Sequence, residues 1–441
     1  MTPCDLLIEP RWLIPVVPEG VVLEQHALAV ADERIVAIGP AAQLRARFAP
    51  AEHRQLPEHA LMPGLVNAHT HAAMTLLRGI ADDQPLMQWL SEHIWPVEAK
   101  WMGHEFVRDG AQIAIAEQLR GGVTTMQDMY FFSDAVAASA EAMGMRAVVG
   151  GIIIEFPSAW AATPDEYFDK AQSLVARYRG SSLIKVALAP HAPYTVSNRS
   201  FERVRTLAEE LDLRVHVHVH ETAQEIADSL REHRMRPLQR LQMLGLLNER
   251  LNAVHMTQLS PGEIEICALA GISVLHCPES NLKLASGFCP VGALERAGIN
   301  LALGTDGCAS NNDLDLLGEL KTAALLAKGV ANDARALGAA RALRMATLGG
   351  AHALGLGSEI GSLEVGKLAD LTALRFDELD SLPVYHPISQ IVYASHRRQV
   401  SDVWVGGRAR VRDGVLCDID SAELIAKARM WGERIASGRS A

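Results

Sequence analysis

Apolar and polar residues change rhythm twice along the chain. Over residues 1–60, short aliphatic runs (Asp5-Leu-Leu-Ile, Trp12-Leu-Ile, His26-Ala-Leu-Ala-Val, Arg34-Ile-Val-Ala-Ile-Gly) are cut by Pro and Gly. β-Branched residues broken at such intervals predict short strands rather than helices. The same texture returns in Ala369-Asp-Leu-Thr-Ala-Leu, Gln399-Val-Ser-Asp-Val-Trp-Val-Gly-Gly and Ala409-Arg-Val-Arg-Asp-Gly, which read as strands and hairpin turns. Two strand-rich ends around a different middle predict a small β-sandwich built from both termini, residues 1–60 and 358–441, flanking a unit over 61–357.

In that middle, strand-like and helix-like segments alternate. Apolar strand candidates end at His71, Asp128, Ile154, His191, His220, His255, His276 and Asp306. Helical periodicity separates them, as in Asp134–Met143, Phe201–Leu211, Pro261–Leu269 and Asp313–Lys328. Eight near-continuously apolar strands, each followed by a helix, predict a parallel (β/α)8 TIM-type barrel. An open doubly wound sheet competes with it. The strand count and the polar residues gathered at the strands' C-terminal ends favour the barrel, which places its chemistry at that face.

Those polar ends carry a metal-ligand pattern. The first strand ends in Asn67-Ala-His69-Thr-His71, and side chains two apart on a strand share one side, about 6.6 Å apart. The fifth reads Val215-His-Val-His-Val-His-Glu221, with His216, His218 and His220 on one face; alternation alone does not say which of them would ligate. The sixth ends in His255 and the eighth in Gly304-Thr-Asp306-Gly. Three histidines and an aspartate make a Zn²⁺ or Fe²⁺ set that leaves room for water, whose pKa such a metal lowers to about 7. Glu221 stands beside the histidines as a group to move protons.

Composition narrows the partners. Hydrophobic residues make up 49% and charged residues 21%, as in ordinary globular proteins, and the net charge of -11 disfavours a nucleic-acid surface. The six cysteines are scattered without a C-x-x-C pair, which excludes a zinc ribbon and a disulfide framework. No basic, apolar leader opens the sequence and no apolar run approaches a membrane span, so a cytoplasmic protein is expected.

Longer motifs surround these residues: Met62-Pro-Gly-Leu-Val-Asn-Ala-His-Thr-His71, Met74-Thr-Leu-Leu-Arg-Gly79, Trp89-Leu, Pro96-Val-Glu98, Ala189-Pro-His191-Ala-Pro-Tyr194, His218-Val-His-Glu221-Thr, His276-Cys-Pro-Glu-Ser-Asn-Leu-Lys-Leu284, Gly304-Thr-Asp306-Gly-Cys-Ala-Ser310-Asn-Asn312 and Gly361-Ser-Leu-Glu-Val-Gly-Lys-Leu-Ala-Asp370. With them the chain resembles, over nearly its full length, the amidohydrolase superfamily and within it the 5′-methylthioadenosine/S-adenosylhomocysteine deaminases. The resemblance implies one divalent metal per subunit, zinc or alternatively ferrous iron, on His69, His71, His218 and Asp306. It implies Glu221 as proton donor to the purine ring, His255 orienting the attacking water and Asp306 accepting its proton. Glu98 would bind the ribose hydroxyls, His191 would contact the nucleoside, Trp89 would cover its 5′ side and Ser310 would line the mouth. The implied reaction replaces the amino group at C6 of adenine by oxygen and releases ammonia. A homo-oligomer is expected on the same ground.

Two features qualify the resemblance. Binuclear relatives carry a carboxylated lysine where the fourth strand ends; here that end is His191 and Lys185 lies six residues earlier, which favours a mononuclear site. Some deaminases carry an arginine suited to a homocysteine carboxylate after the strand that reads Met145-Arg-Ala-Val-Val-Gly-Gly here, and alignment places Gly150 or Gly151 there. A preference for methylthioadenosine over S-adenosylhomocysteine is therefore expected. The rival enzymes are a guanine or pterin deaminase or an s-triazine hydrolase, which need no ribose-binding Glu98; a non-catalytic scaffold would have no need of the ligand set.

Overall fold

The computed structural model describes residues 1–439. Eight parallel strands stand side by side in chain order: Leu65–Thr70, Val123–Asp128, Arg146–Ile153, Ile184–Pro190, Val215–Val219, Leu251–His255, Ser273–His276 and Asn300–Leu303. Most of their side chains are buried on both faces, because one face fills the barrel and the other lies under helices. Neighbours pair in register toward one rim, as in Val219 beside His255 and His276 beside Leu303.

Several strands stop slightly short of the expected residues. His71, His191 and His220 lie one residue beyond their strands, and Asp306 lies three beyond. His220 and Asp306 take left-handed backbone angles, φ 55° and 61°, which end strand pairing and turn the chain into the rim loops.

Helix boundaries follow local chemistry. Ser197 caps Asn198–Leu211, Thr222 caps Ala223–His233, and Asp315 caps Leu316–Ala331 with its carboxylate. Pro261–Ala270 begins with a reciprocal Ser260/Glu263 capping box and stops at Gly271, whose φ of 70° suits glycine.

The two ends of the chain build one nine-stranded mixed sheet. Its long strand Phe48–Pro63 runs parallel to Thr2–Leu13 on one side and antiparallel to Leu371–Arg375 on the other. Leu6, Leu28, Leu61, Leu371 and Trp404, drawn from both termini, share one core. Only Gly64 separates that long strand from the first barrel strand, so the sheet anchors where the barrel begins. Helix Ser421–Arg439 returns to the barrel, where the Trp431 indole N–H donates to Asp109 at 3.0 Å. Among the described residues no helix is long and apolar enough to cross a membrane.

A buried fork joins the two parts. Arg146, which opens the third barrel strand, donates to Asp370 through Nε at 2.7 Å and Nη2 at 3.1 Å, with side chains 5% and 1% exposed. Asp370 also accepts the Gly406 N–H at 2.7 Å. Removing one partner strands a buried charge, a loss of about 3–5 kcal/mol. Asp370→Ala should therefore lower the urea unfolding midpoint sharply, and pairing it with Arg146→Met should restore part of the loss; equal midpoints for Asp370→Ala and wild type would contradict this.

Candidate active site

The first and eighth strands meet at the seam of the ring. There the Asp306 N–H donates to the His69 carbonyl at 3.0 Å, and the Asn67 side chain accepts from the Thr305 N–H and donates to its hydroxyl. Approach is close enough that a Cβ on Gly304 would lie 2.7–2.9 Å from His69 atoms, so glycine is required. Asp306 reaches inward from its left-handed backbone. Thr70 and Thr305 donate to its carbonyl, each at 3.0 Å, and Ser280 donates to its Oδ2 at 2.7 Å. Such strain persists only where surrounding bonds over-determine it.

Four side chains converge there. His69 Nε2 lies 3.4 Å from Asp306 Oδ1 and 3.2 Å from His218 Nε2, and His71 Nε2 lies 3.2 Å from Asp306 Oδ1. Ligands about 2.0–2.2 Å from a tetrahedral metal stand about 3.3–3.6 Å apart; these three pairs match that spacing, with His69, His71 and Asp306 forming one mutually close trio and His218 joining it through His69. Each imidazole spends its other nitrogen on the protein. His71 Nδ1 faces the Met129 carbonyl at 2.5 Å, His218 Nδ1 the His191 carbonyl at 2.8 Å, and His69 Nδ1 faces His216 Nε2 at 2.8 Å. Protons held on the Nδ1 atoms leave the Nε2 lone pairs for the metal.

Direction separates the three histidines of strand five. His216 is buried behind His69 and orients it, His218 enters the cluster, and His220 turns away so that its Nε2 accepts the Leu238 N–H at 3.0 Å. Burial, then repulsion from neighbouring histidines, holds His218 far below the ordinary imidazole value. Burial likewise brings His69 down to about 4, although Asp306 opposes it. Both are thus neutral, the ligating form. His71 goes the other way: burial lowers it, but Asp306 and the Met129 carbonyl outweigh that and lift it to about 9, so metal binding there would release a proton.

Above the cluster opens a cavity of about 560 Å³, within the range of small-molecule sites. Trp89, Glu98, His191, Glu221, His255 and Ser310 all line it, together with His71, His218 and Asp306. Burial, reinforced by Asp306, raises the Glu221 carboxyl although His255 opposes it. The Glu221 carbonyl accepts from Thr257 at 2.6 Å, and its N–H donates to the buried Glu225 carboxylate at 2.7 Å. His255 directs Nδ1 to the side-chain oxygen Oδ1 of Asn281 at 2.9 Å, and its Nε2 lies 3.7 Å from Glu221. His255 also stands within a second ligand-like trio with His69 and His218. His191 is pushed down to about 3 by burial, and its Nδ1 pairs with the Thr195 hydroxyl at 2.9 Å.

Glu98, on helix Trp95–Trp101, accepts from the Tyr130 hydroxyl at 2.5 Å. Burial pushes its carboxyl up to about 7 against the pull of Tyr130 and His71.

One expectation about position changes. Gly150 and Gly151 do not line the cavity: a Cβ on Gly150 would meet Ala189 and the Asp128 carbonyl below 3.0 Å, and one on Gly151 would meet Ala171 at 2.6 Å. No arginine fits at either. Ile152 and Ile154 line the cavity from that strand instead, and no Lys or Arg is among the lining residues. Lys185, exposed near the opposite end of the fourth strand, lines a separate cavity at the other mouth. Asn281, Ser280, Glu225 and Tyr130 had no role assigned from the sequence, and His216 stood only as one of three strand-five candidates. The alternation Val-His-Val-His-Val flagged His216 as inward-facing, but only the fold pairs it with His69.

The amidohydrolase family matches residues 60–410. The chain belongs to the amidohydrolase family. A bacterial imidazolonepropionase-like composite domain also matches residues 27–51. This amidohydrolase is 48% identical to a 5-methylthioadenosine/S-adenosylhomocysteine deaminase of Teredinibacter turnerae, over 99% of both chains. It is 46% identical to one of Saccharophagus degradans, covering 100% of this chain and 98% of the relative. Among solved structures it is similar to an adenosine deaminase from Xanthomonas campestris with bound zinc, at 59% identity, TM-score 0.98 and 99% coverage of each. It also resembles the zinc-complexed atrazine chlorohydrolase TrzN of Arthrobacter aurescens, at 25% identity and TM-score 0.90, over 97% of this chain and 99% of that one.

His216 supplies a direct check of the ligand geometry in this amidohydrolase. Losing the partner that orients a ligand histidine lowers metal affinity about 10–100-fold. His216→Phe should show that loss in competition titrations against a chelator while its far-UV circular dichroism stays native; unchanged affinity would contradict the pairing.

Proposed function

We propose that this amidohydrolase deaminates the adenine ring of 5′-methylthioadenosine, giving 5′-methylthioinosine and ammonia, with zinc as its metal. One observation carries the reading: the ligand cluster, a buried acid with a raised pKa and a buried second carboxylate share one cavity. The deaminases of Teredinibacter and Saccharophagus support the substrate, and the zinc bound to the Xanthomonas enzyme supports the metal.

His69, His71, His218 and Asp306 would hold the ion. When bound, a divalent metal makes water acidic enough to serve as a nucleophile near neutral pH. Glu221, whose burial favours its protonated form, gives a proton to the ring nitrogen next to C6. Asp306 receives the proton of the incoming water, its Oδ2 fixed by Ser280. His255, tied through Nδ1 to Asn281, presents Nε2 to that water. Water adds at C6; Asp306 passes the proton it received to the amino group, the C6–N bond breaks and ammonia departs, while the proton of the added hydroxyl returns to Glu221, leaving the C6 carbonyl. Glu98 accepts from the ribose hydroxyls, as a carboxylate can from two adjacent donors. His191 contacts the nucleoside, Trp89 covers the 5′ side and Ser310 lines the mouth.

The cavity also ranks substrates. S-Adenosylhomocysteine carries a carboxylate for which the lining offers no lysine or arginine. Lacking a charge-assisted partner costs about 1.5–3 kcal/mol, roughly a factor of ten or more. An s-triazine, with no sugar, leaves Glu98 unused. In a spectrophotometric screen the kcat/KM for 5′-methylthioadenosine should exceed that for S-adenosylhomocysteine at least about tenfold. Guanine and atrazine should be poor substrates. Equal values for the two nucleosides would sink the ranking, and turnover of atrazine alone would sink the deaminase reading.

A further inference from the structure

Met129 and Tyr130 follow directly on the second barrel strand, and these consecutive residues grip two different parts of the site. The Met129 carbonyl accepts from Nδ1 of the metal-ligand candidate His71, and the Tyr130 hydroxyl donates to Glu98 Oε1 at 2.5 Å. Glu98 comes from elsewhere. Its helix, Trp95–Trp101, follows a π-helical turn, Trp89–Ile94, in the segment that roofs the cavity. We propose that Tyr130 is a positioning residue for sugar recognition: its hydroxyl fixes the Glu98 carboxylate at a set distance from the metal centre and leaves Oε2 for the sugar diol.

The geometry supports the division of labour. Tyr130 makes the one side-chain hydrogen bond to Glu98 among the described residues, to Oε1, and Glu98 lines the cavity. Tyr130 is 2% exposed and Glu98 7%, so water cannot readily replace the phenol as donor. The phenol ring packs on Phe131, 5.5 Å between centroids, and lies 6.4 Å from His71, which ties its direction to the barrel rim rather than to the roof. Burial pushes the Glu98 carboxyl up to about 7, and Tyr130 counters that by bonding its charged form, the form that accepts from two hydroxyls.

The inference rests on the reading of Glu98 as the sugar-binding carboxylate, and the two can fail separately. Holoenzyme carrying Tyr130→Phe, Glu98→Gln or both is assayed with 5′-methylthioadenosine and with its 2′,3′-dideoxy analogue. A hydrogen bond to a charged group is worth roughly a factor of ten or more. Tyr130→Phe should raise KM for the ribonucleoside about tenfold with kcat within about twofold, and should leave KM for the dideoxy analogue unchanged. In the Glu98→Gln background the same change should add less than about twofold, since the two act as one unit. Metal content, measured alongside, should match wild type for Tyr130→Phe. An unchanged ribonucleoside KM in Tyr130→Phe, with Glu98→Gln impaired, overturns the role of Tyr130. Equal losses on both substrates, or lost metal, overturn it in favour of a general structural role. An unchanged KM in Glu98→Gln overturns the sugar-binding reading itself, and the inference with it.

Discussion

The closure of the barrel between its first and eighth strands is the constraint on which the site depends. His69 and Asp306 are 237 residues apart in the chain and become neighbours because Asp306 N–H meets the His69 carbonyl across that seam. The contact needs a bare backbone at Gly304, a polar clasp from Asn67 to Thr305 and a left-handed turn at Asp306. Each is unfavourable or unremarkable alone. Together they bring a carboxylate within 3.4 Å of two imidazoles that a single strand end already presents on one side.

Outward from the seam, each layer fixes the next. Carbonyls of Met129 and His191, with the His216 ring, set which nitrogen of each ligand faces inward. The same loops then present the cavity's own groups: His191 continues from the fourth strand, Tyr130 follows Met129, and Glu221 follows the strand of His218. The metal-ligand candidates and the groups lining the cavity therefore share backbone. The terminal sheet takes part at the opposite end, where it leads through Gly64 into the first barrel strand and is pinned by Arg146 and Asp370.

Much of this was legible in the sequence. Buried parallel strands read as unbroken apolar runs, and chemistry gathers where they end, so His69, His71, His255 and Asp306 stand out in the sequence itself. Side-chain alternation could narrow strand five to three histidines and no further, because a two-residue period says which face and not how deep. Depth decides it: His216 lies below the cluster, His218 in it and His220 beyond it. The search for an arginine failed differently. Counting along Val148-Val-Gly-Gly-Ile could not reveal that Gly150 presses on Ala189 and the Asp128 carbonyl, so the wall of the cavity begins two residues later at Ile152. Tyr130 carried no signal, since its importance lies in a partner from a roof helix whose place the periodicity of the chain does not encode.

One metal ion, held at the seam, would enable deamination in the cavity above it. Stepwise addition of zinc to chelator-stripped protein, with metal content and ultraviolet conversion of 5′-methylthioadenosine followed together, tests it most directly. Deaminating activity should rise in proportion to bound zinc and level off at about one equivalent per chain. Full activity in metal-free protein, or a plateau reached only at two equivalents, would contradict it.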